Sequence, residues 1–206
     1  MTKSAMLVLH FQNSVAHPRG VWGKNLHPQV AKNNSIENTR EAIGAARVRG
    51  MKIIYVNIAW RRGAPELPSQ TCELLRSAKE SGECIVGSWG AEVIDELKPQ
   101  GGDINITNFN SDGFEGTELD LILRAQKIDT LFFTGQCIEH VVATTMKRAV
   151  NMGYQAVLLR DCTSGFTDLN YEAMVEILPL YGTLITSKEF VLGRYRDAER
   201  FSSFAA

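Results

Sequence analysis

Short apolar runs alternate with longer amphipathic segments along the whole chain, and this alternation constrains the fold more than any other feature. The runs have the length and composition of strands that are buried on both faces. They occupy residues 5–10, 52–57, 103–107, 130–135, 155–160 and 182–186. Strand–helix alternation of this kind requires parallel pairing with right-handed crossovers. We therefore expect a three-layer, Rossmann-like α/β fold with a mostly parallel six-stranded sheet and helices on both faces.

The segments between these runs carry apolar residues at helical spacing. They predict helices over residues 30–49, 69–81, 118–126, 139–152 and 170–178. No repeat, linker or low-complexity tract divides the chain, so residues 1–206 are predicted to form a single domain. Residues 190–206 follow the last strand and are rich in apolar side chains. We expect this tail to pack on the domain or on a neighbouring subunit.

Charge and composition exclude several classes of partner. The formal net charge is −1, without a basic cluster of the kind that nucleic-acid binders show, so no nucleic-acid partner is expected. No apolar run approaches the roughly 20 residues of a membrane span, and no signal-peptide core is present, so we expect a cytoplasmic protein and no membrane partner. The cysteines lack paired spacing, which predicts neither a zinc site nor disulfides; they are Cys72, Cys84, Cys137 and Cys162.

Ligands of open α/β sheets bind outside the carboxyl ends of the strands. The segments that follow the predicted strands are therefore the candidate site: residues 10–12, 57–62, 108–114, 136–141 and 161–166. None of them contains a dinucleotide-binding glycine pattern, a P-loop or a Gly-x-Ser-x-Gly elbow. The first strand ends at His10 without a carboxylate, which counts against an aspartyl phosphotransferase.

Four segments, in order along the chain, resemble the isochorismatase-like cysteine hydrolases. Residues 5–13, AMLVLHFQN, are similar to the family's apolar strand followed by Asp-Met-Gln-Asn, and residues 87–97 resemble its helix entry. Residues 108–120, NFNSDGFEGTELD, are similar to its Lys-x-x-x-Ser-Ala-Phe-x-Gly-Thr-x-Leu segment. Residues 123–135, followed by Thr145, Gly153-Tyr154 and Asp161, continue the match. The chain is identified as a divergent member of this superfamily over nearly its whole length, as one isochorismatase-like domain.

The resemblance implies a Cys–Asp–Lys triad, but all three positions are replaced. By position, the aspartate falls on His10, the lysine on Asn108 and the nucleophile on Val141. A valine has no nucleophilic atom, so the usual thioester mechanism is excluded. Relatives that cleave vinyl ethers without the cysteine keep the aspartate, which is also lost here. The resemblance further implies a cis peptide bond at Cys137–Ile138, which would set the oxyanion-binding N–H groups.

The family's metal-binding variant carries Asp-x-x-His after the second strand, and this chain has Asn57-Ile-Ala-Trp60 there. We therefore expect no metal and no cofactor. The remaining candidates for chemistry are His10, Cys137 and His140. His10 is either an acid–base residue or a neutral side chain that closes a strand end. Cys137 is either a displaced nucleophile with His10 as its base or a small buried residue, and His140 either lines the cavity or lies on the surface.

Aromatic side chains cluster in the segments after the strands and predict the walls of a pocket. The predicted lining is Phe11, Trp60, Trp89, Phe114, Cys137 and Ile138, with Phe109 nearby. Such a pocket suits a small ligand, aromatic or amide in character, although aromatics here could instead cover the core or a subunit interface. Carboxylate-holding candidates are Arg61, Arg62 and Arg160, which could equally be solvated.

Three functional hypotheses follow. The leading one is a pseudoenzyme that lacks the triad and binds a small molecule or a partner without turnover. The alternative is a divergent hydrolase of C–N or vinyl-ether bonds that uses His10 with His140 or Cys137. The third is an oligomer scaffold whose pocket is filled by side chains. In each case we expect a homo-oligomer, a dimer or a tetramer.

Overall fold

One sheet of six strands forms the centre of the molecule in the computed structural model, which describes residues 3–195. The strands are β1 Ser4–Leu9, β2 Lys52–Ile58, β3 Ile104–Asn108, β4 Thr130–Gly135, β5 Gln155–Thr163 and β6 Thr183–Ile185. Their order across the sheet is β3-β2-β1-β4-β5-β6, and every neighbouring pair is parallel. The predicted six-stranded α/β fold is therefore confirmed, with a sheet that is entirely parallel.

Helices connect the strands. The α-helices are α1 Asn13–Ala16, α2 Gly23–Lys32, α3 Ser35–Val48, α4 Glu73–Ser81, α5 Leu119–Ala125, α6 Ala143–Asn151, α7 Asp168–Ile177 and α8 Ser187–Val191. The prediction of a single helix over residues 30–49 is wrong, because the helical conformation is interrupted between α2 and α3. Asn34 stands at the break with a φ of 50°, a left-handed conformation that asparagine tolerates better than most residues.

Helices cover both faces of the sheet, and each face has its own apolar core. Successive side chains of a strand point to opposite faces. Leu7 of β1 thus packs with the layer of α5, α6 and α7, whereas Met6 packs with α3 and α8. Because both faces are covered, the inner strands read as unbroken apolar runs rather than as an alternating pattern.

The last described residues pack on the same chain. The rings of Phe190 and Tyr195 both lie 5.0 Å, centroid to centroid, from the ring of Phe132 in β4. Arg49 lies over the Phe190 ring and donates a hydrogen bond of 2.8 Å to the carbonyl of Val191. The rest of the predicted tail, residues 196–206, lies outside the described residues. Its packing on the domain or on a neighbouring subunit stays a prediction.

The strand order reverses between β1 and β4. After β1 the chain adds β2 and β3 on one side, and it then returns to place β4 on the other side of β1. Loops that leave two such strands diverge and open a crevice at the carboxyl end of the sheet. His10 directly follows β1, and a π-helical turn, Ile138–Val142, follows β4. The fold therefore brings the segments after β1, β3 and β4 to one place.

Candidate functional site

A buried hydrogen bond joins the ends of β1 and β3 at the centre of this crevice. Nε2 of His10 lies 2.9 Å from Oδ1 of Asn108, and neither residue is more than 3% exposed. His10 has a φ of 52° and donates its backbone N–H to the carbonyl of Val56. Left-handed backbone at a residue other than glycine is strained and clusters at functional sites. The two residues that the resemblance places at the aspartate and lysine positions are thus in direct contact.

The partners of Asn108 decide which nitrogen of His10 carries the proton. Nδ2 of Asn108 donates to the carbonyls of Asn110 and Asp112, at 2.7 and 3.3 Å, so its Oδ1 faces His10 as an acceptor. Nε2 of His10 must therefore be the donor, and in the neutral ring Nδ1 is left as an acceptor. Burial lowers the pKa of His10 from 6.5 to about 4, against a smaller opposing effect of the bond to Asn108. At neutral pH the ring is uncharged.

The turn after β4 supplies the other two residues of interest. Val141, at the position that the resemblance assigns to the nucleophile, is 1% exposed, and Cys137 enters the turn with a φ of 57°. Burial, and then the carboxylate of Glu139, raise the pKa of the Cys137 thiol well above its usual value. The peptide bond at Cys137–Ile138 is trans, as are the other bonds of residues 3–195, so the implied cis bond is corrected here.

These residues line one small cavity. His10, Cys137, His140 and Val141 meet there, together with Trp22, Ser111, Ile58, Leu74 and Leu75. The cavity has a volume of about 10 Å³, enough for roughly one water molecule. Its lining within residues 3–195 includes no Asp, Glu, Lys or Arg. The structure therefore brings together all three residues that the sequence nominated for chemistry: His10, Cys137 and His140.

Three lining residues come from segments without a motif. Trp22 lies at the start of α2, and Leu74 and Leu75 lie in α4, which covers the cavity. Sequence reasoning missed all three because nothing in the local pattern says where these segments dock. The one usable signal was the length of the connection between β2 and β3, since long connections often cover binding sites.

Most of the aromatic residues predicted to line a pocket lie elsewhere, which corrects that prediction for this cavity. Phe11 follows His10 and packs with Met6 on the opposite face of the sheet. Trp60 is fully buried and donates its indole N–H to the carbonyl of Phe109 at 2.9 Å. Core packing also takes Phe114, which stacks on Tyr154, and Ile138.

The remaining predicted residues lie at the surface or pair locally. Trp89 is 41% exposed and sits beneath the guanidinium of Arg19 at 5.1 Å. Arg61 pairs with Glu66 at 2.5 Å, while Arg62 and Arg160 are exposed. None of these groups reaches the cavity.

Side-chain hydrogen bonds connect the segments around His10 and Asn108. The side-chain amide of Gln12 donates to the carbonyls of Ile58 and Ala91 and accepts from the backbone N–H of Ile58, each at 2.8 Å. The hydroxyl of Thr145 accepts from the backbone N–H of Gly113 at 2.9 Å. These bonds fix the segment after β1 to β2 and to Ala91, and the segment after β3 to α6.

No group of three or more His, Cys, Asp or Glu side chains in residues 3–195 is placed to hold a metal ion. No helix in the same range is long and apolar enough to cross a membrane.

Comparison with known proteins decides the family. The model of the isochorismatase domain matches residues 4–189. The chain belongs to the isochorismatase family. A ureidoacrylate amidohydrolase, RutB of Variovorax paradoxus, is 30% identical over 201 residues, which cover 91% of this chain and 80% of that protein. The isochorismatase family protein YwoC of Bacillus subtilis is 32% identical over 169 residues, covering 82% and 87%.

Two solved structures have the same architecture. N-carbamoylsarcosine amidase from Thermoplasma acidophilum superposes with a TM-score of 0.73 at 27% identity, over 91% of this chain and 98% of that one. A cysteine hydrolase from Pseudomonas syringae superposes with a TM-score of 0.83 over 95% and 93% of the two chains. Its identity is 21%, so that likeness concerns the fold alone.

Proposed function

We propose that this isochorismatase-family protein is a pseudoenzyme: it keeps the family's fold and part of its pocket and does not catalyse hydrolysis. The observation that carries the proposal is the neutral, hydrogen-bonded pair of His10 and Asn108 beside Val141. We further propose that it acts in the cytoplasm, as a homo-oligomer, by binding a small molecule or a partner protein.

Each chemical role of the triad lacks a group that could perform it. Val141 offers no nucleophile, and Asn108 offers no cation to stabilise a thiolate. His10 is a weak base, because burial lowers its pKa to about 4, and its Nε2–H is committed to Asn108. Efficient acid–base catalysis at neutral pH requires a pKa near 7. The site therefore supplies neither the covalent step nor the proton transfer.

A divergent hydrolase is the second candidate, because His10, Cys137 and His140 line the same cavity. In this alternative His10 takes the proton of the Cys137 thiol, the thiolate attacks the carbonyl carbon of a C–N bond, the proton passes to the departing amine, and water hydrolyses the thioester. Alternatively, His10 and His140 protonate a vinyl ether and activate the water that adds to it. Against it, burial raises the pKa of the Cys137 thiol while it lowers that of His10. Each of these two pKa shifts makes proton transfer from the thiol to the imidazole less favourable.

A turnover panel distinguishes these candidates. Wild type, His10→Ala, Cys137→Ala and His140→Ala are incubated with amides, ureas, cyclic imides and vinyl ethers, including ureidoacrylate and N-carbamoylsarcosine. Products are followed by mass spectrometry, and binding is followed by thermal shift. The pseudoenzyme proposal expects stabilisation by some panel members without product. A product that wild type makes and one alanine variant does not would overturn it and identify the reacting residue.

A further inference from the structure

The connection between β2 and β3 contains a segment with almost no polar tie to the rest of the molecule. It comprises residues 61–82, with helix α4 in its second half. Within residues 3–195, the hydrogen bonds and ion pairs of this segment join it to itself, apart from the one that the N–H of Glu83, at its end, donates to Ser81. The segment, which we call the flap, is therefore held in place by apolar packing.

Two backbone hydrogen bonds join the ends of the flap. Trp60 donates its N–H to the carbonyl of Cys84 at 2.8 Å, and Val86 donates to the carbonyl of Trp60 at 2.9 Å. The chain therefore leaves the body of the protein and returns to it at one place. The far end is fixed as well, because the carboxylate of Glu83 accepts from the backbone N–H of Val21 at 2.7 Å. A loop whose ends are fixed together can move without displacing the strands that it connects.

The apolar contact between the flap and the body is small. Helix α4 has nine residues and buries only two of them. The buried apolar side chains of the whole flap are Ala64, Leu67, Leu75 and Ala78. They share one apolar cluster with Trp22, Leu26 and Ile58 of the body. A segment that is held by so few buried side chains opens at a much lower free energy than the whole protein.

We propose that the flap opens as one unit while the sheet stays folded, and that this opening is the gate of the cavity. Leu74 and Leu75 of the flap line the cavity, which has a volume of about 10 Å³ and room for roughly one water. Anything larger must displace part of the lining, and these two leucines belong to the segment without polar ties. A gate of this kind acts in the same way whether the site only binds or also reacts, so it lies beyond the proposed function.

Hydrogen exchange of the native protein in D2O, followed by NMR, measures the opening. The indole N–H of Trp22 lines the cavity and is buried without an acceptor among the described residues, so burial alone protects it. Trp22→Phe assigns its resonance. The protection factors of the α4 amides and of this indole should agree within about threefold, because one opening exposes both. They should be at least about 100-fold lower than those of the β1 and β4 amides, which exchange only when the sheet unfolds.

Matched leucine variants separate opening of the flap from unfolding of the whole protein. Leu123→Ala, in the core under α5, should lower protection in β1 and β4 about 30-fold or more and leave α4 and Trp22 unchanged. Leu75→Ala should lower protection in α4, at Trp22 and in the sheet by one common factor, because its contacts are lost in both kinds of opening. Lys79→Gly, at an exposed position of α4, is a milder variant and should lower flap protection about fivefold, with Lys79→Ala as its control.

Each outcome either supports the gate or overturns it. Low protection of α4 and Trp22 that responds to Lys79→Gly and not to Leu123→Ala supports it. Protection of α4 that equals that of β1 and β4, and falls with theirs in Leu123→Ala, overturns it, because the flap then opens only when the whole protein unfolds. Trp22 protection that does not follow α4 in Lys79→Gly overturns the flap as the gate. Turnover is measured separately by the substrate panel, so failure of the gate leaves the proposed function standing.

Discussion

Lowering the pH from 7 to 5 should destabilise the protein mainly through His10. The side chain is 3% exposed, and burial lowers its pKa from 6.5 to about 4. Between these pH values the unfolded chain takes up a proton that the folded chain does not. The folded state is therefore most stable above about pH 6.5, loses stability as the pH falls, and loses no more through His10 below about pH 4.

The magnitude follows from the shift. The difference between 6.5 and about 4 corresponds to roughly 3 kcal/mol in total, at about 1.36 kcal/mol for each unit. Linkage places about 2 kcal/mol of this loss between pH 7 and pH 5. Several carboxyl groups have a lowered pKa in the folded protein: Glu37, Glu66, Asp95, Asp120 and Glu189. Their contribution to the free energy of unfolding is lost mainly below pH 5, so an assay that stops at pH 5 isolates the contribution of His10.

Urea unfolding of wild type and His10→Asn at pH 7, 6 and 5 measures this contribution. Asparagine tolerates the left-handed backbone of this position and stays neutral, so the variant should lose about 2 kcal/mol less than wild type over the range. His17→Asn, which removes a half-buried histidine outside the cavity, serves as the control for the substitution itself. Equal losses in wild type and His10→Asn would refute a buried, neutral His10.

Three further predictions concern the surroundings of the site. Native protein treated with iodoacetamide should gain one adduct, at exposed Cys72, and buried Cys137 should react only in urea; native modification of Cys137 would contradict its burial. Asn108→Lys places an unpaired ammonium at a fully buried position and should lower the free energy of unfolding by about 3 kcal/mol or more, whereas unchanged urea stability would show that the site is open to water. In Gly135→Ala the new methyl group would lie 2.7 Å from Cβ and 2.9 Å from the carbonyl oxygen of Leu9. Calorimetry should therefore show a loss of stability of about 1–3 kcal/mol. An unshifted melting temperature would mean that β1 and β4 can move apart at no cost in stability.

The sheet and the meeting of the candidate residues were predictable because both follow from strand patterning. The predicted run over residues 5–10 ends at His10, Asn108 directly follows the run over residues 103–107, and the segment after β4 holds Cys137 and Val141. Parallel strands bring their carboxyl ends to one edge, so these side chains had to approach each other. The contact between His10 and Asn108 follows from positions that the sequence alone nominates.

The cavity walls were not predictable in the same way. Trp22 and Leu75 lie in connections whose docking depends on tertiary packing and not on local periodicity. Alternation along β1 would place Phe11 on the same face as Leu9, but the left-handed backbone of His10 interrupts the pattern, and Phe11 packs on the opposite face. The break at Asn34 likewise depends on a left-handed residue that propensity alone does not identify.

The most direct test of the central claim is a single-turnover experiment with the protein in large excess over ureidoacrylate. Under these conditions even very slow hydrolysis converts the substrate, and RutB of Variovorax paradoxus serves as the positive control. If the protein is a pseudoenzyme, wild type, like His10→Asn, yields no product above the rate in buffer. Product formed by wild type and absent with His10→Asn would contradict the pseudoenzyme proposal and would show that the protein is a hydrolase.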